Sequence, residues 1–278
     1  MNTLTYDLQI RSLCANIFIR VSRALKERMP KSCQKKLQKL LRKKEKRKLE
    51  KGRKRATLRE KTRAAMAQGC YHSKKFQKME ISRKLDIAFN DGIKVYIDCS
   101  YEALMSTKEC NKFAQQLCRL YGANKKAPRP LSLHLVNLSQ SGPLFHACQS
   151  KCDGFSNYKI GFHSETASSV TPDGMELVYL SPDAEEPLLS LSKNCVYILG
   201  CLVDEHLLKG RSLKEAELQG CRSVRLPIQE FYDHNTSGRK SSPVLAINHV
   251  IDIILAYLAG NGDWKTAIES GLPKRFFK

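Results

Sequence analysis

Apolar positions along this chain switch between two periods, and the switching lays out its elements. Ile93 to Asp98, Leu131 to Leu138, Leu177 to Leu180, Cys195 to Leu199 and Ser223 to Leu226 are short, mostly apolar runs of the length of buried strands. Between them the period lengthens. Phe113, Leu117 and Leu120 mark a helix over Ser106 to Tyr121. Glu185 to Leu191 and Ser212 to Gln219 read as short helices, the second ended by Gly220. Val244 to Leu258 reads as a long apolar helix, and Trp264 to Ser270 as one more. Residues 139–175, rich in Ser, Gly and Asn, read as loop with short elements. Strands alternating with helices predict an α/β domain with a mostly parallel sheet covered on both faces.

Before residue 90 the pattern differs. Lys31 to Gln68 is dominated by Lys, Arg, Leu, Glu and Gln, with one glycine, Gly52, and predicts helix. Leu37, Leu40, Leu41 and Leu49 form a stripe too thin for a core. Residues 69–90 read as a hinge, opening at Gly69 and closing with Asn90-Asp91-Gly92. Leu4, Leu8, Ile17, Phe18, Val21 and Leu25 fall near helical spacing among arginines. That stretch suits either a mitochondrial presequence or an amphipathic helix.

Charge divides the chain at the same place. The whole holds 48 Lys+Arg against 27 Asp+Glu, a net of +21. Residues 1–90 carry 27 of the basic and 7 of the acidic residues, leaving 21 against 20 for residues 91–278. The expected organisation is a basic, largely helical or disordered arm over 1–90 and one domain over 91–278. The arm suits a polyanion, and charge alone does not choose between nucleic acid and lipid. Few aromatics lie between Phe18 and Tyr71, which argues against interfacial anchoring. No apolar run approaches ~20 residues, so no membrane span is expected.

The 11 cysteines are scattered, with no Cys-x-x-Cys pair; the nearest approach is Cys148-x-x-x-Cys152. They read as reduced thiols of a cytoplasmic or nuclear protein. No histidine pair sits at ligand spacing, so no metal is expected.

Dinucleotide-binding, P-loop and Gly-x-Ser-x-Gly motifs are absent. The chemistry gathers instead at strand ends, where open α/β sheets bind ligands. Gly200-Cys201-Leu202-Val203-Asp204 follows one strand, Pro227 ends another, and Pro243 to Val250 begins the long helix. Asp204 is the ionisable group at that edge. Asp98 ends the first strand and Asp183 follows the third; the simpler reading of both is a cap for the next segment.

Four motifs in this order resemble the tRNA methyltransferase 10 family, most closely its vertebrate B-type branch. They are Leu177 to Asp183, Tyr197 to Asp204, Arg225-Leu226-Pro227-Ile228 and Val244 to Val250. Ser100 to Met105, Asn124-Lys125, Arg129-Pro130, Asp263-Trp264 and Leu272 to Arg275 extend the resemblance over roughly residues 93–278. It implies a SPOUT fold with a C-terminal trefoil knot, which periodicity alone does not give. It implies S-adenosylmethionine as cofactor and tRNA as partner, a monomer, and methylation of guanine N1 at position nine. Adenine at that position, or a non-catalytic subunit of a processing complex, stays open. By position, Leu180, Ser181, Gly200, Cys201, Leu226, Ala246, Ile247 and Asn248 would hold the cofactor. Asp204 would be the general base, and Lys108, Gln116, Arg119 and Lys125 would meet tRNA. Cys201 stands where the family usually has glycine; a positive φ there would strain it by ~1 kcal/mol or more.

Overall fold

All five apolar runs become strands of one parallel sheet, and a short sixth joins them. In chain order they are β1 Lys94–Asp98, β2 Ser132–Val136, β3 Gly161–Phe162, β4 Glu176–Leu180, β5 Cys195–Gly200 and β6 Arg222–Val224. Their order across the sheet is β3-β2-β1-β5-β4-β6. Every pairing is parallel. The structure, a computed structural model, describes residues 31–67, 73–203, 210–231 and 244–273. The presequence-like stretch, Asp204, and Lys274 and Arg275 of the last motif lie outside the described residues.

These residues fall into two compact units, one ending at Ser73 and one beginning at Lys74. The first contains α1, Lys31–Ala67, which spans 37 residues and thus ~55 Å. Its described side chains lie almost wholly in solvent, with Leu40, Leu49 and Leu58 exposed. The helix rests on the propensity of Lys, Arg, Leu and Glu, helped by ion pairs such as Lys54–Glu50.

In the second unit, α2 (Lys74–Asp91) occupies most of the segment read as a hinge. It buries Leu85 and Ala88, and Lys84 Nζ donates to the Ala127 carbonyl at 2.7 Å. Its apolar positions are too few to outweigh its many charges in sequence.

Strand side chains alternate between two cores. Val95, Ile97, Leu133, Leu135 and Leu199 face one side, with α3 (Thr107–Lys126), α4 (Pro143–Lys151), α8 (Ile247–Ala259) and α9 (Trp264–Gly271). Tyr96, Val136, Tyr179, Val196 and Ile198 face the other, with Ala167 of α5 (Ala167–Val170) and Ala216 of α6 (Arg211–Leu218). The four-residue α7, Ile228–Phe231, follows β6. Ser106 opens α3 with a capping box: its hydroxyl accepts from Glu109 N–H, and its own N–H donates to the Glu109 carboxylate at 2.7 Å.

Besides the hinge, two expectations fail. Glu185 to Leu191 is not helical. Pro187 lacks the N–H a helix needs, and the chain instead runs beside Arg225. Arg225 N–H donates to Glu186 O at 2.9 Å and Leu188 N–H to Arg225 O at 2.8 Å. The cysteines are not all thiols. Cys118 on α3 and Cys152 at the end of α4 form a disulfide, with Cα atoms 5.6 Å apart. Packing of α3 on α4 brings the pair together, which sequence spacing does not show.

Candidate functional site

Because β5, β4 and β6 are neighbours, their carboxyl ends converge. Leu180 pairs with Leu199 on one side and Val224 on the other. Ser181 is buried; its N–H donates to Val224 O at 2.9 Å, and its hydroxyl meets Ser212 Oγ at 2.8 Å. Leu226 is buried just beyond β6. Ala246 caps α8 in extended conformation, and its carbonyl accepts from His249 and Val250 N–H groups. Ile247 and Asn248, in the first turn, are buried. Ile247 belongs to the same apolar core as Leu180, Cys201 and Leu226. Leu180, Ser181, Gly200, Cys201 and Leu226 thus stand at the carboxyl ends of three adjacent strands.

Gly200 ends β5 opposite Asp98. Cys201 follows, fully buried, its N–H on the Asp98 carbonyl at 2.9 Å and its sulfur 3.9 Å from Met105 Sδ. Among the described residues only Asn137 and Asn261 are non-glycines with positive φ. Cys201 therefore carries no positive-φ strain.

Asp98 does more than cap. Its Oδ1 accepts from Ser100 N–H at 3.0 Å, as a cap would, and from the Asn137 amide at 2.8 Å. Its Oδ2 accepts from the Tyr179 hydroxyl at 3.3 Å and the Gln219 amide at 3.4 Å. The Tyr101 and Tyr179 hydroxyls meet at 2.8 Å. Burial, then the Asp98 charge, holds Tyr179 far above the ordinary tyrosine range. Burial likewise raises Tyr101, although its bond to Tyr179 works the other way. Sequence offered one signal for this network, a carboxylate closing an apolar strand. Asp183 caps no helix beside it; its Oδ2 accepts from Gly210 N–H at 2.9 Å, at the start of α6.

The expected tRNA contacts all lie on α3, on different faces. Lys108 and Arg119 are exposed, three turns apart on one side. Lys125 is exposed, its ammonium 5.6 Å from the Tyr121 ring, which stacks on Tyr158 at 3.8 Å. Gln116 is half-buried, and its Oε1 is the one buried side-chain oxygen or nitrogen without a hydrogen-bond partner among the described residues. No cluster of three potential metal ligands occurs among them.

Comparison with known proteins adds a family. A family model described as tRNA (guanine(9)-N(1))-methyltransferase TRM10/TRM10A matches residues 27–277. The tRNA methyltransferase 10 homolog B proteins of Homo sapiens and Rattus norvegicus are each 40% identical over 203 residues, 72% of this chain. The match spans 63% of those relatives' own length. The crystal structure of a full-length spTrm10–SAH complex is similar over 66% of this chain and 94% of that one, with 28% identity and a TM-score of 0.57.

Proposed function

The chain belongs to the tRNA methyltransferase 10 family, and from that membership we propose that it methylates N1 of guanine 9 in tRNA, with S-adenosylmethionine as methyl donor. The family match across residues 27–277 carries this reading. The bound spTrm10 ligand supports the choice of donor.

The site fits the donor. Leu180, Gly200 and Leu226 offer backbone and apolar surface at three adjacent strand ends, suited to a nucleoside. Arg225, beside Leu226, is neutralised by its ion pair with Glu230 at 2.7 Å. Bound S-adenosylmethionine would supply an electrophilic methyl group. Guanine N1 carries a proton at neutral pH, so Asp204 acts as general base and accepts it as N1 attacks. Gln116 meets the target nucleotide. Lys108, Arg119 and Lys125 contact phosphate.

The SPOUT domain lies within 91–278 and ends in a C-terminal trefoil knot. The basic arm within 1–90 tracks the tRNA backbone, with α1 as its helical part. The enzyme acts as a monomer in the cytoplasm or nucleus, and no described helix is long and apolar enough to cross a membrane. Transfer of labelled methyl to tRNAs carrying guanine, adenine or a pyrimidine at position nine tests the reading. N1-methylguanine at that position is expected. Product only on adenine would change the substrate, and no product on any tRNA would leave a binding subunit.

A further inference from the structure

The strand ends carry a buried carboxylate whose hydrogen bonds are complete and whose charge is not. Asp98 is fully enclosed. Its four partners, Ser100, Asn137, Tyr179 and Gln219, are all neutral donors. Only donors converge on it, which is the pattern of an ionised carboxylate. Glu215 shares the Gln219 amide, at 2.9 Å. Among the described residues neither carboxylate has an ion-pair partner. Burying an anion this way is costly, and neutral dipoles offset only part of the cost. A cation bound nearby would offset more.

Asp98 lies beside the strand ends assigned to the donor, with its side chain on the Tyr179 face of the sheet. It stands beside Gly200 in the register, and its carbonyl holds Cys201 N–H. Tyr179 leads directly into Leu180 and Ser181. The carboxylate is therefore one to two strand spacings, ~5–10 Å, from the backbone assigned to the methyl donor.

We propose that Asp98 is a specificity-determining residue that makes the site favour the cationic methyl donor over its neutral product. The inference rests on the methyltransferase reading above. In the transfer the sulfur–methyl bond breaks and the N1–methyl bond forms. The bonding pair stays on sulfur, which becomes a neutral thioether, and the N1 proton passes to the base. The ligand loses its positive charge while Asp98 keeps its negative one. At an effective dielectric of ~20, a unit charge ~10 Å away is worth roughly tenfold in affinity. Asp98 thereby lets the donor displace the product.

Calorimetry on the full chain tests this, with S-adenosylmethionine and S-adenosylhomocysteine as probes. Asp98→Asn keeps the shape and removes the charge; it should lower the product-to-donor Kd ratio roughly tenfold. Tyr179→Phe removes one hydrogen bond and leaves the charge, so the ratio should hold. An unchanged ratio in folded Asp98→Asn, or an equal shift in Tyr179→Phe, overturns the proposal. If Asp98→Asn does not fold, the wild type decides. An analogue with a protonated amine in place of the sulfonium should bind it roughly tenfold more tightly than the thioether, and equal or weaker binding overturns the proposal. Failure of all these ligands to bind sinks the methyltransferase reading itself, and this inference with it.

Discussion

The Tyr101 ring fills the space that a side chain on Gly200 would need. A Cβ on Gly200 would lie 3.1 Å from Tyr101 Cε2 and 3.4 Å from its hydroxyl oxygen. Tyr101 is itself buried and tied to Tyr179, so it cannot swing aside. The glycine at this strand end is thus favoured by packing before any ligand is considered.

Gly200→Ala should therefore destabilise the fold by about 1–3 kcal/mol, the range for overpacking a core. Pairing it with Tyr101→Ala should recover part of its own effect, since the obstructing ring is gone. Urea denaturation of the double-mutant cycle measures both. Additive losses would show that the ring is not what Gly200 avoids.

His134 predicts a loss of stability in acid. The Ser132 hydroxyl gives its proton to Phe89 O at 2.7 Å, so His134 Nε2–H must donate to Ser132 Oγ at 3.1 Å. His134 Nδ1 is left to accept from His163 Nε2–H at 3.0 Å. Protonating His134 sets two N–H groups against each other. Burial, then the charges of His163 and Lys94, hold its pKa down to about 4. A lowered pKa gives stability present above the unfolded value and lost as pH falls toward the folded one. Between about pH 6.5 and pH 4 the chain should lose about 3 kcal/mol through this group. Urea midpoints across that range should fall less steeply for His134→Asn than for the wild type. Parallel curves would contradict the assignment.

The Cys118–Cys152 bond closes a segment with a sequence separation of 34, which loop entropy values at ~3–4 kcal/mol. Reductant should lower the denaturation midpoint of the wild type and leave Cys118→Ser unaffected. Insensitivity of the wild type to reductant would mean that the bond does not form in solution.

Deleting residues 1–68 should weaken tRNA binding and flatten its dependence on salt, because most of the excess positive charge goes with them. Binding measured across a salt series gives the slope. A slope equal to that of the full chain would remove the arm from the phosphate contacts.

Asp204→Asn should slow methylation of a guanine substrate by up to ~10²–10⁴-fold, the usual contribution of a general base, while both ligands still bind. Single-turnover rates of the wild type should fall in acid. Those of the variant should rise toward the pH at which guanine N1 ionises unaided. Identical profiles would leave orientation, not proton transfer, as the source of catalysis.

Much of this was legible in the chain. The five main strands declared themselves because a strand buried on both faces must be apolar throughout. The amphipathic α3 showed because its buried stripe recurs at helical spacing. Three of the four main family motifs, Leu177 to Asp183, Tyr197 to Asp204 and Arg225 to Ile228, stand at strand ends, where topology places ligand sites. What failed in sequence failed for want of partners. Glu185 to Leu191 had helical composition, yet Pro187 and the edge offered by Arg225 drew it into extended pairing.

Sequence alone therefore determined the order of elements, the parallel sheet, the basic arm and the family, since each follows from local pattern or composition. Tertiary structure alone decided which distant groups meet. Asp98, Asn137, Tyr179 and Gln219 are far apart in the chain, and only the order of parallel strands brings three neutral side-chain donors to one carboxylate. Cys118 and Cys152 meet only because two helices pack. Such contacts are set by the balance of burial over many residues, and no local window of sequence contains that balance.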